Sequence, residues 1–293
     1  MKQSSIGQLI LCIVIPFLGM IAFGGIAVAL FTHFLLPTDN IPIASLHHHL
    51  SKNTFFLLNM LPFFIGFGLI LFSIKFFINS NLTAVITSRE QIDWRRFFVS
   101  FSVWSVISLL FFYVDYLTNP EAFLFQFDGA TFGVLMLVSL VAIPVQTGFE
   151  ELIFRGFLLQ LSQRFFTRII LLCLVNGLLF GAVHLSNPEI DLFGWPAILY
   201  YTITGVFLAA ITLFDKGMEL AWGFHAANNF FGVVFLTNNW QVLQTNALFT
   251  DTRAPEIGYE LVWTLLVAYP VLFLFFAKRY RWDVKAVFSG KHQ

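Results

Sequence analysis

Three short stretches place ionisable residues inside apolar runs that are long enough to cross a bilayer. The first contains Glu150, Glu151 and Arg155, the second ends at His184, and the third contains His225. A charged side chain at membrane depth costs about 2.5–3.5 kcal/mol on insertion scales, so such residues mark functional sites by default. The chain must therefore fold so that these side chains meet one another, or water, rather than lipid.

The composition identifies the solvent in which the chain folds. Of its 293 residues, 58% are hydrophobic and only 11% are charged, whereas an average soluble domain has about 25% charged residues. We therefore predict one integral membrane domain over residues 1–293. Because the formal net charge is zero and no long basic or acidic run is present, we predict no nucleic-acid partner. Cys12 and Cys173 are isolated in apolar runs and indicate neither a disulfide framework nor a zinc cluster.

Hydropathy and helix breakers predict an all-α polytopic membrane protein, with eight transmembrane helices around an intramembrane polar cavity. The predicted spans are residues 8–36, 54–78, 97–117, 132–163, 168–187, 195–214, 218–237 and 259–279. The fourth is longer than a bilayer requires, so we expect it to tilt or to protrude.

Positive charge predicts the orientation of these spans. With the intramembrane Arg155 set aside, 13 of the 16 Lys and Arg residues fall on one predicted side, and two, Lys52 and Arg253, fall on the other. This asymmetry predicts that both termini are cytoplasmic, in the cell (inner) membrane if the protein is bacterial. On the same side, residues 89–96 mix charge with a tryptophan, and we expect a short interfacial helix there.

The two adjacent glutamates are predicted to have different roles. Glu151 and Arg155 are i,i+4 on one helix face and can form an ion pair. Glu150 is turned by about 100° from Glu151 and is free to point elsewhere. We therefore predict that Glu150 is the reactive carboxylate. The alternative is that both glutamates simply neutralise Arg155.

Depth arguments bring the three polar stretches together. If spans four and five form an antiparallel hairpin, Glu150 and His184 lie at similar depth, with Phe180 packed beneath His184 one helical turn away. Span seven presents His225 and Asn229 on one face, and Asn228 is an alternative to Asn229 for the inward position. A lone intramembrane His or Asn is normally an interhelical hydrogen-bond partner. Three polar clusters at compatible depths predict a site.

The pattern Glu-Glu-x3-Arg at 150–155, Phe-x3-His at 180–184 and His-x3-Asn at 225–229 resembles the CPBP family of intramembrane proteases. These are the bacterial Abi-type relatives of the type II CAAX-prenyl endopeptidases, also called Ras-converting enzymes. The resemblance covers residues 132–237 and implies that this segment is the catalytic core of an eight-helix fold.

The resemblance also implies roles for individual residues. It implies that Glu150 and His184 activate water, while His225 and Asn229 hold the oxyanion. Glu151 and Arg155 would complete the first motif as supporting residues, as would Phe180 and Asn228 beside the second and third.

Elementary chemistry agrees with this reading. A desolvated carboxylate near an imidazole can take a proton from attacking water, and the absence of a Ser or Cys nucleophile elbow favours direct water attack. Glu150, His184 and His225 also form a two-His, one-carboxylate set that can bind zinc. Since no His-Glu-x2-His pattern is present, we prefer a mechanism without a metal or another cofactor, and zinc stays the alternative.

The sequence thus predicts a hydrolase, an intramembrane endopeptidase acting on a membrane-associated peptide or a lipidated protein, with prenylated CAAX-type proteins among the candidates. One alternative is a non-proteolytic membrane scaffold or bacteriocin-immunity protein with the same helices. Another is a proton-coupled transporter in which Glu150 and His184 form a relay. We find no internal repeat between the two halves of the chain, which disfavours a transporter.

Overall fold

A computed structural model describes residues 4–36, 49–241 and 243–284, and the fold is mostly helical (76%). Among the described residues, a helix lies at each of the eight predicted positions, and two short α-helices and a 3-10 turn (Pro120–Ala122) occur between them. The helices are α1 (Ile6–Leu35), α2 (Lys52–Phe77), α3 (Leu82–Ile86), α4 (Trp94–Thr118), α5 (Gly129–Ser162), α6 (Ile169–Val183), α7 (Pro188–Phe193), α8 (Trp195–Asp215), α9 (Glu219–Phe230) and α10, which runs through Tyr259–Trp263, a π-turn at Thr264–Ala268 and Tyr269–Arg279.

Six of the described helices are long and apolar enough to cross a membrane: α1, α2, α4, α5, α8 and the segment Leu261–Arg279 of α10. The helix α6 has 15 residues, and α9 has 12 residues before a π-turn at Phe231–Phe235. The eight-span arrangement therefore stays a prediction. The α9 helix is less apolar than α6, because it carries Glu219 and His225. Both side chains are buried inside the bundle.

The all-α prediction missed a small sheet. Its three strands, β1 (Phe123–Phe125), β2 (Leu236–Asn238) and β3 (Phe249–Asp251), lie in the order β1-β3-β2, with β1 antiparallel and β2 parallel to β3. The strand β2 directly follows the π-turn of α9, so the predicted seventh helix ends earlier than residue 237. Strands of three residues give no periodicity that a sequence pattern can detect.

Arg253 ties this sheet to the helical bundle. Its Nη2 lies 2.7 Å from Asp115 Oδ2 on α4 and 2.6 Å from Asp251 Oδ2 on β3. The hydrogen bonds to Asp251 and then to Asp115 outweigh burial and raise the pKa of Arg253 above its usual value. The guanidinium is therefore a permanent charge between α4 and β3.

At the opposite end, the predicted interfacial helix at 89–96 is wrong. The short helix is α3, which comes earlier, and α4 begins at Trp94. Arg89 instead reaches the turn between α8 and α9, with Nη2 2.8 Å from Asp215 Oδ2 and Nη1 3.1 Å from Glu219 Oε2. We call the end that carries Arg89 the basic end. Lys2, Lys285 and Lys291, which contribute to the predicted orientation, lie outside the described residues.

Two glycines allow the helices around the polar residues to approach closely. A Cβ atom on Gly177 of α6 would lie 2.6 Å from the Thr202 carbonyl oxygen of α8, and one on Gly148 of α5 would lie 2.9 Å from the Trp222 ring of α9. Any larger side chain at these positions would push the helices apart. The close contacts set α6 on α8 and α9 on α5, which brings the polar residues of the three motifs together.

Candidate active site

Glu150 lies at the end of the first α-helical part of α5, Gly129–Glu151. Its Oε1 accepts a hydrogen bond of 2.5 Å from Gln146 Nε2, one turn earlier on the same helix. Its Oε2 is buried and has no hydrogen-bond partner among the described residues. The basic side chain next to that oxygen is His225, whose Nε2 lies 3.6 Å from it. One carboxylate oxygen is thus fixed and the other is available.

Glu151 is fully buried, and it is the centre of a charge cluster. Its Oε1 lies 2.9 Å from Arg155 Nη1, so the ion pair predicted from the i,i+4 spacing is present. The same oxygen lies 2.8 Å from His225 Nδ1, a contact that the sequence did not predict. Because a carboxylate oxygen accepts, His225 carries hydrogen on Nδ1 and turns Nε2 toward Glu150.

The α5 helix widens into a π-turn, Leu152–Leu158, immediately after these glutamates. Such a turn changes the hydrogen-bond register, and π-turns occur frequently at functional sites. Asn176 of α6, which is fully buried, donates a hydrogen bond of 2.8 Å to the Phe154 carbonyl oxygen. The rings of Phe154 and Phe180 also meet edge to face, with centroids 5.1 Å apart. These contacts fix α6 against the part of α5 that directly follows Glu150 and Glu151.

His184 caps α6, one position after the last helical residue, rather than lying inside a longer helix as predicted. Its Nδ1 lies 2.7 Å from the Phe180 carbonyl oxygen, and since a carbonyl only accepts, the hydrogen is on Nδ1. A neutral His184 therefore keeps a lone pair on Nε2. The Phe180 ring packs under it, as predicted, with centroids 4.6 Å apart. The Tyr201 ring stacks on it at 4.2 Å.

The two asparagines of α9 have different contacts. Asn229 Nδ2 donates a hydrogen bond of 2.9 Å to Gln146 Oε1, which connects it through Gln146 to Glu150. Asn228 Nδ2 donates to Asn229 Oδ1 at 3.3 Å, and its own Oδ1 accepts from Trp104. The hydrogen-bond chain from Asn229 to Glu150 thus passes through one residue, Gln146. The chain from Asn228 passes through two, Asn229 and Gln146.

A cavity of about 540 Å³ collects these groups. Six of the eight predicted site residues line it: Glu150, Phe180, His184, His225, Asn228 and Asn229. The other two, Glu151 and Arg155, are buried behind Glu150 and His225. The catalytic and supporting roles of these eight residues stay predictions.

Other parts of the chain complete the walls of the cavity. Phe17 and Met20 of α1 and Met60 of α2 contribute apolar surface, and Gln241 contributes an amide from the segment after β2. The walls that α1 and α2 contribute are thus mostly apolar, and Asn59 of α2 is a polar exception.

The three residues of the zinc alternative, Glu150, His184 and His225, are not arranged as a metal-binding group. Among residues 4–36, 49–241 and 243–284, no group of three or more His, Cys, Asp or Glu side chains is arranged to hold a metal ion. A cleavage assay with and without a chelator would distinguish a metal-free from a zinc-dependent mechanism.

Sequence reasoning missed three polar residues that support the site: Gln146, Asn176 and Tyr201. Gln146 was detectable, because it is an amide in an apolar run, one turn before Glu150. Asn176 was detectable for the same reason in α6. Tyr201 has no such signal, since its stacking on His184 depends on how α6 packs against α8.

In a comparison with known proteins, residues 129–231 match the family model described as "Type II CAAX prenyl endopeptidase Rce1-like". The matched segment contains all eight predicted site residues. A protein of Bacillus subtilis (strain 168), described as "Uncharacterized protein YyaK", is 32% identical over 198 residues. That match covers 67% of this chain and 66% of the Bacillus protein, which is just under two thirds of the relative's length. No solved structure matches the chain significantly.

Proposed function

Because this chain belongs, through residues 129–231, to the type II CAAX prenyl endopeptidase Rce1-like family, we propose that it is an intramembrane endopeptidase. It would hydrolyse a peptide bond in a membrane-associated protein by direct attack of water. The observation that carries the proposal is that Glu150 and His184 line one cavity, and each has an acceptor atom that the other described residues leave unused.

Water activation would fall to this pair. Among the described residues Glu150 Oε2 has no hydrogen-bond partner, and a neutral His184 keeps the lone pair of Nε2 because Nδ1 donates to the Phe180 carbonyl oxygen. As the water oxygen bonds to the peptide carbonyl carbon, its proton passes to the carboxylate. When the C–N bond breaks, that proton goes to the leaving amine. General acid–base catalysis of this kind contributes about 10²–10⁴-fold to the rate.

Stabilisation of the tetrahedral oxyanion would come from His225 and Asn229. With Nδ1 donating to Glu151, Nε2 is the ring nitrogen of His225 that would donate to the oxyanion, when it carries a hydrogen of its own. Asn229 gives one Nδ2 hydrogen to Gln146 and keeps the second. Donors that are held in position before the reaction are what an oxyanion site requires.

The substrate would be a membrane-associated peptide or a lipidated protein, with prenylated CAAX-type proteins as the first candidates. The apolar wall formed by Phe17, Met20 and Met60 supports this choice, because it offers a surface for an apolar substrate group beside the polar residues. The proposal includes an eight-span arrangement, with α6 and α9 as spans five and seven and the basic end in the cytoplasm.

A quenched-peptide assay tests the proposal. The full-length protein, reconstituted in liposomes, is offered farnesylated and unmodified peptides, with and without a zinc chelator. We expect wild-type protein to cleave at least one peptide, and Glu150→Gln or His184→Ala to reduce the rate at least 100-fold. Glu121→Gln, an exposed charge change, should retain the wild-type rate. A chelator-resistant rate favours the metal-free mechanism, and a chelator-sensitive rate that zinc restores favours the alternative.

The non-proteolytic scaffold or immunity protein predicts a different result. In that case no peptide is cleaved, and Glu150→Gln keeps whatever biological effect the wild-type protein has. Equal cleavage rates for wild type and Glu150→Gln would likewise refute the proposed role of this carboxylate.

A further inference from the structure

An open groove at the basic end lies outside the candidate active site. It runs between the start of α4 and the end of α10 and has a volume of about 860 Å³. Its floor is apolar, formed by Phe98, Val99, Val103 and Phe275, and its upper rim carries Trp94, Arg95, Arg279 and Tyr280. Apolar surface below and basic residues above match the two parts of an amphiphile.

Two of the rim charges are uncompensated. Among the described residues, neither Arg95 nor Arg279 has an ion-pair partner, and both side chains are exposed. Arg279 lies over the Tyr280 ring, with its guanidinium carbon 5.7 Å from the ring centroid. The neighbouring Arg96 differs, because its Nε lies 3.1 Å from Asp215 Oδ2. The groove therefore presents two free guanidinium groups at its mouth.

The carboxylate of Asp93 lines the same groove but does not neutralise these arginines. Its Oδ1 accepts the backbone N–H of Arg95 and so caps the start of α4. Its Oδ2 lies 3.5 Å from Arg96 Nη1. Both oxygens are thus engaged with the helix start and with Arg96, and among the described residues Asp93 forms no ion pair with Arg95 or Arg279.

The floor has the character of a lipid-facing surface. Phe98 is 60% exposed, Phe275 is 39% exposed and Trp94, at the mouth, is 49% exposed. A tryptophan at the end of a membrane helix marks the headgroup level of the bilayer. Below it, an acyl chain would lie along the rings and the valines, and above it a headgroup would meet the guanidinium groups.

We propose that this groove binds an anionic phospholipid, with its phosphate between Arg95 and Arg279 and one acyl chain along Phe98 and Phe275. Guanidinium groups suit phosphate because they donate two parallel hydrogen bonds. Basic pockets between membrane helices are a general form of anionic lipid site. The chain's own residues 285–293 are poor occupants, since they contain Lys285 and Lys291 and no acidic residue.

Native mass spectrometry of the purified full-length protein tests the site. The protein is equilibrated with phosphatidylglycerol or with phosphatidylcholine, and the retained lipid is counted. We expect wild-type protein to retain phosphatidylglycerol preferentially, and Arg95→Gln/Arg279→Gln to bind it about 30-fold more weakly. The matched control is Arg168→Gln/Lys216→Gln, which removes two exposed charges at the same end but outside the groove. It should bind like wild type.

A second variant keeps every charge and fills the groove. Ser102 lines the floor, and Ser102→Trp should displace the lipid while Arg95 and Arg279 remain. Equal retention of both lipids by wild-type protein overturns the proposal, as does equal weakening by the control pair. If inorganic phosphate protects the wild-type protein from thermal unfolding as well as phosphatidylglycerol does, the site binds a free anion and the lipid assignment is wrong.

Discussion

Tyr201 and His184 form a parallel stack, with ring centroids 4.2 Å apart and planes 19° apart, although they lie on different helices. Asn187 Nδ2 donates to the Tyr201 hydroxyl at 3.2 Å and so holds the tyrosine from the other side. Together with the bond from His184 Nδ1 to the Phe180 carbonyl oxygen, the stack leaves the imidazole little freedom to rotate. Tyr201 is thus a positioning residue for His184.

Substitutions at Tyr201 should distinguish the contribution of the ring to kcat from that of the hydroxyl. Tyr201→Ala removes the stacking surface, and we expect kcat to fall about 10–100-fold, since small misplacements of a catalytic group cost up to about 100-fold. Tyr201→Phe keeps the ring, so kcat should stay within about threefold of wild type. Steady-state kinetics with a quenched peptide would measure both. Equal losses in the two variants would mean that the hydroxyl, and not the stack, matters.

Gln146 connects the predicted water-activating and oxyanion groups. It donates to Glu150 and accepts from Asn229, so Gln146→Leu should release both side chains at once. We expect kcat to drop about 10–100-fold with little change in KM, because Gln146 holds the reactive groups rather than the bulk of a substrate. The matched control is Asn59→Leu, which also replaces an amide at the cavity wall. If it has the same effect on kcat, the loss reflects general damage to the cavity.

The buried pair of Glu151 and Arg155 should be costly to break. The side chains are completely inaccessible, and removing one member of a buried ion pair typically costs about 3–5 kcal/mol. Arg155→Met should therefore lower the free energy of unfolding by about that amount, measured in detergent by tryptophan fluorescence. The double variant Glu151→Gln/Arg155→Met should be less destabilised than the sum of the two single variants, because it leaves no unpaired charge. Strict additivity would contradict the pairing.

Much of this arrangement could be predicted from the chain because helix periodicity determines it. The ion pair of Glu151 and Arg155 follows from i,i+4 spacing, and the placement of Phe180 beneath His184 follows from the same rule. The helix positions follow from hydropathy, although two of the helices are too short or too polar to count as spans by themselves.

Other contacts could not be predicted, because they join different elements. The bond between Asn229 and Gln146 connects α9 with α5, and the stack of Tyr201 on His184 connects α8 with α6. Neither pair has a fixed separation in the sequence. The sheet escaped detection for a related reason: all three strands are short, and β1 comes from a part of the chain distant from β3.

The packing of α6 on α8 gives a prediction about stability with an internal control. A Cβ atom on Gly177 would lie 2.6 Å from the Thr202 carbonyl oxygen, whereas one on Gly133 of α5 would meet nothing within 4 Å. Gly177→Ala should therefore destabilise the protein by about 1–3 kcal/mol through overpacking, and Gly133→Ala should be neutral or slightly stabilising because alanine favours helix. Thermal unfolding of the two variants in the same detergent would compare them. A stabilised Gly177→Ala would show that the two helices have room to separate.

Arg253 should couple the sheet to α9, the helix that carries Asn228 and Asn229 near its end. Its Nη1 donates to Asp115 Oδ1 at 3.0 Å and its Nη2 donates to Asp115 Oδ2 at 2.7 Å. Its Nη2 also donates to Asp251 of β3. Arg253→Lys keeps the charge but cannot make the paired bonds, so we expect a loss of about 1–3 kcal/mol in the free energy of unfolding. Since β2 pairs with β3 and directly follows α9, the variant should also expose the amides of Leu236–Asn238 to faster hydrogen exchange. Unchanged exchange there, beside a measurable loss of stability, would show that the sheet does not brace the end of α9.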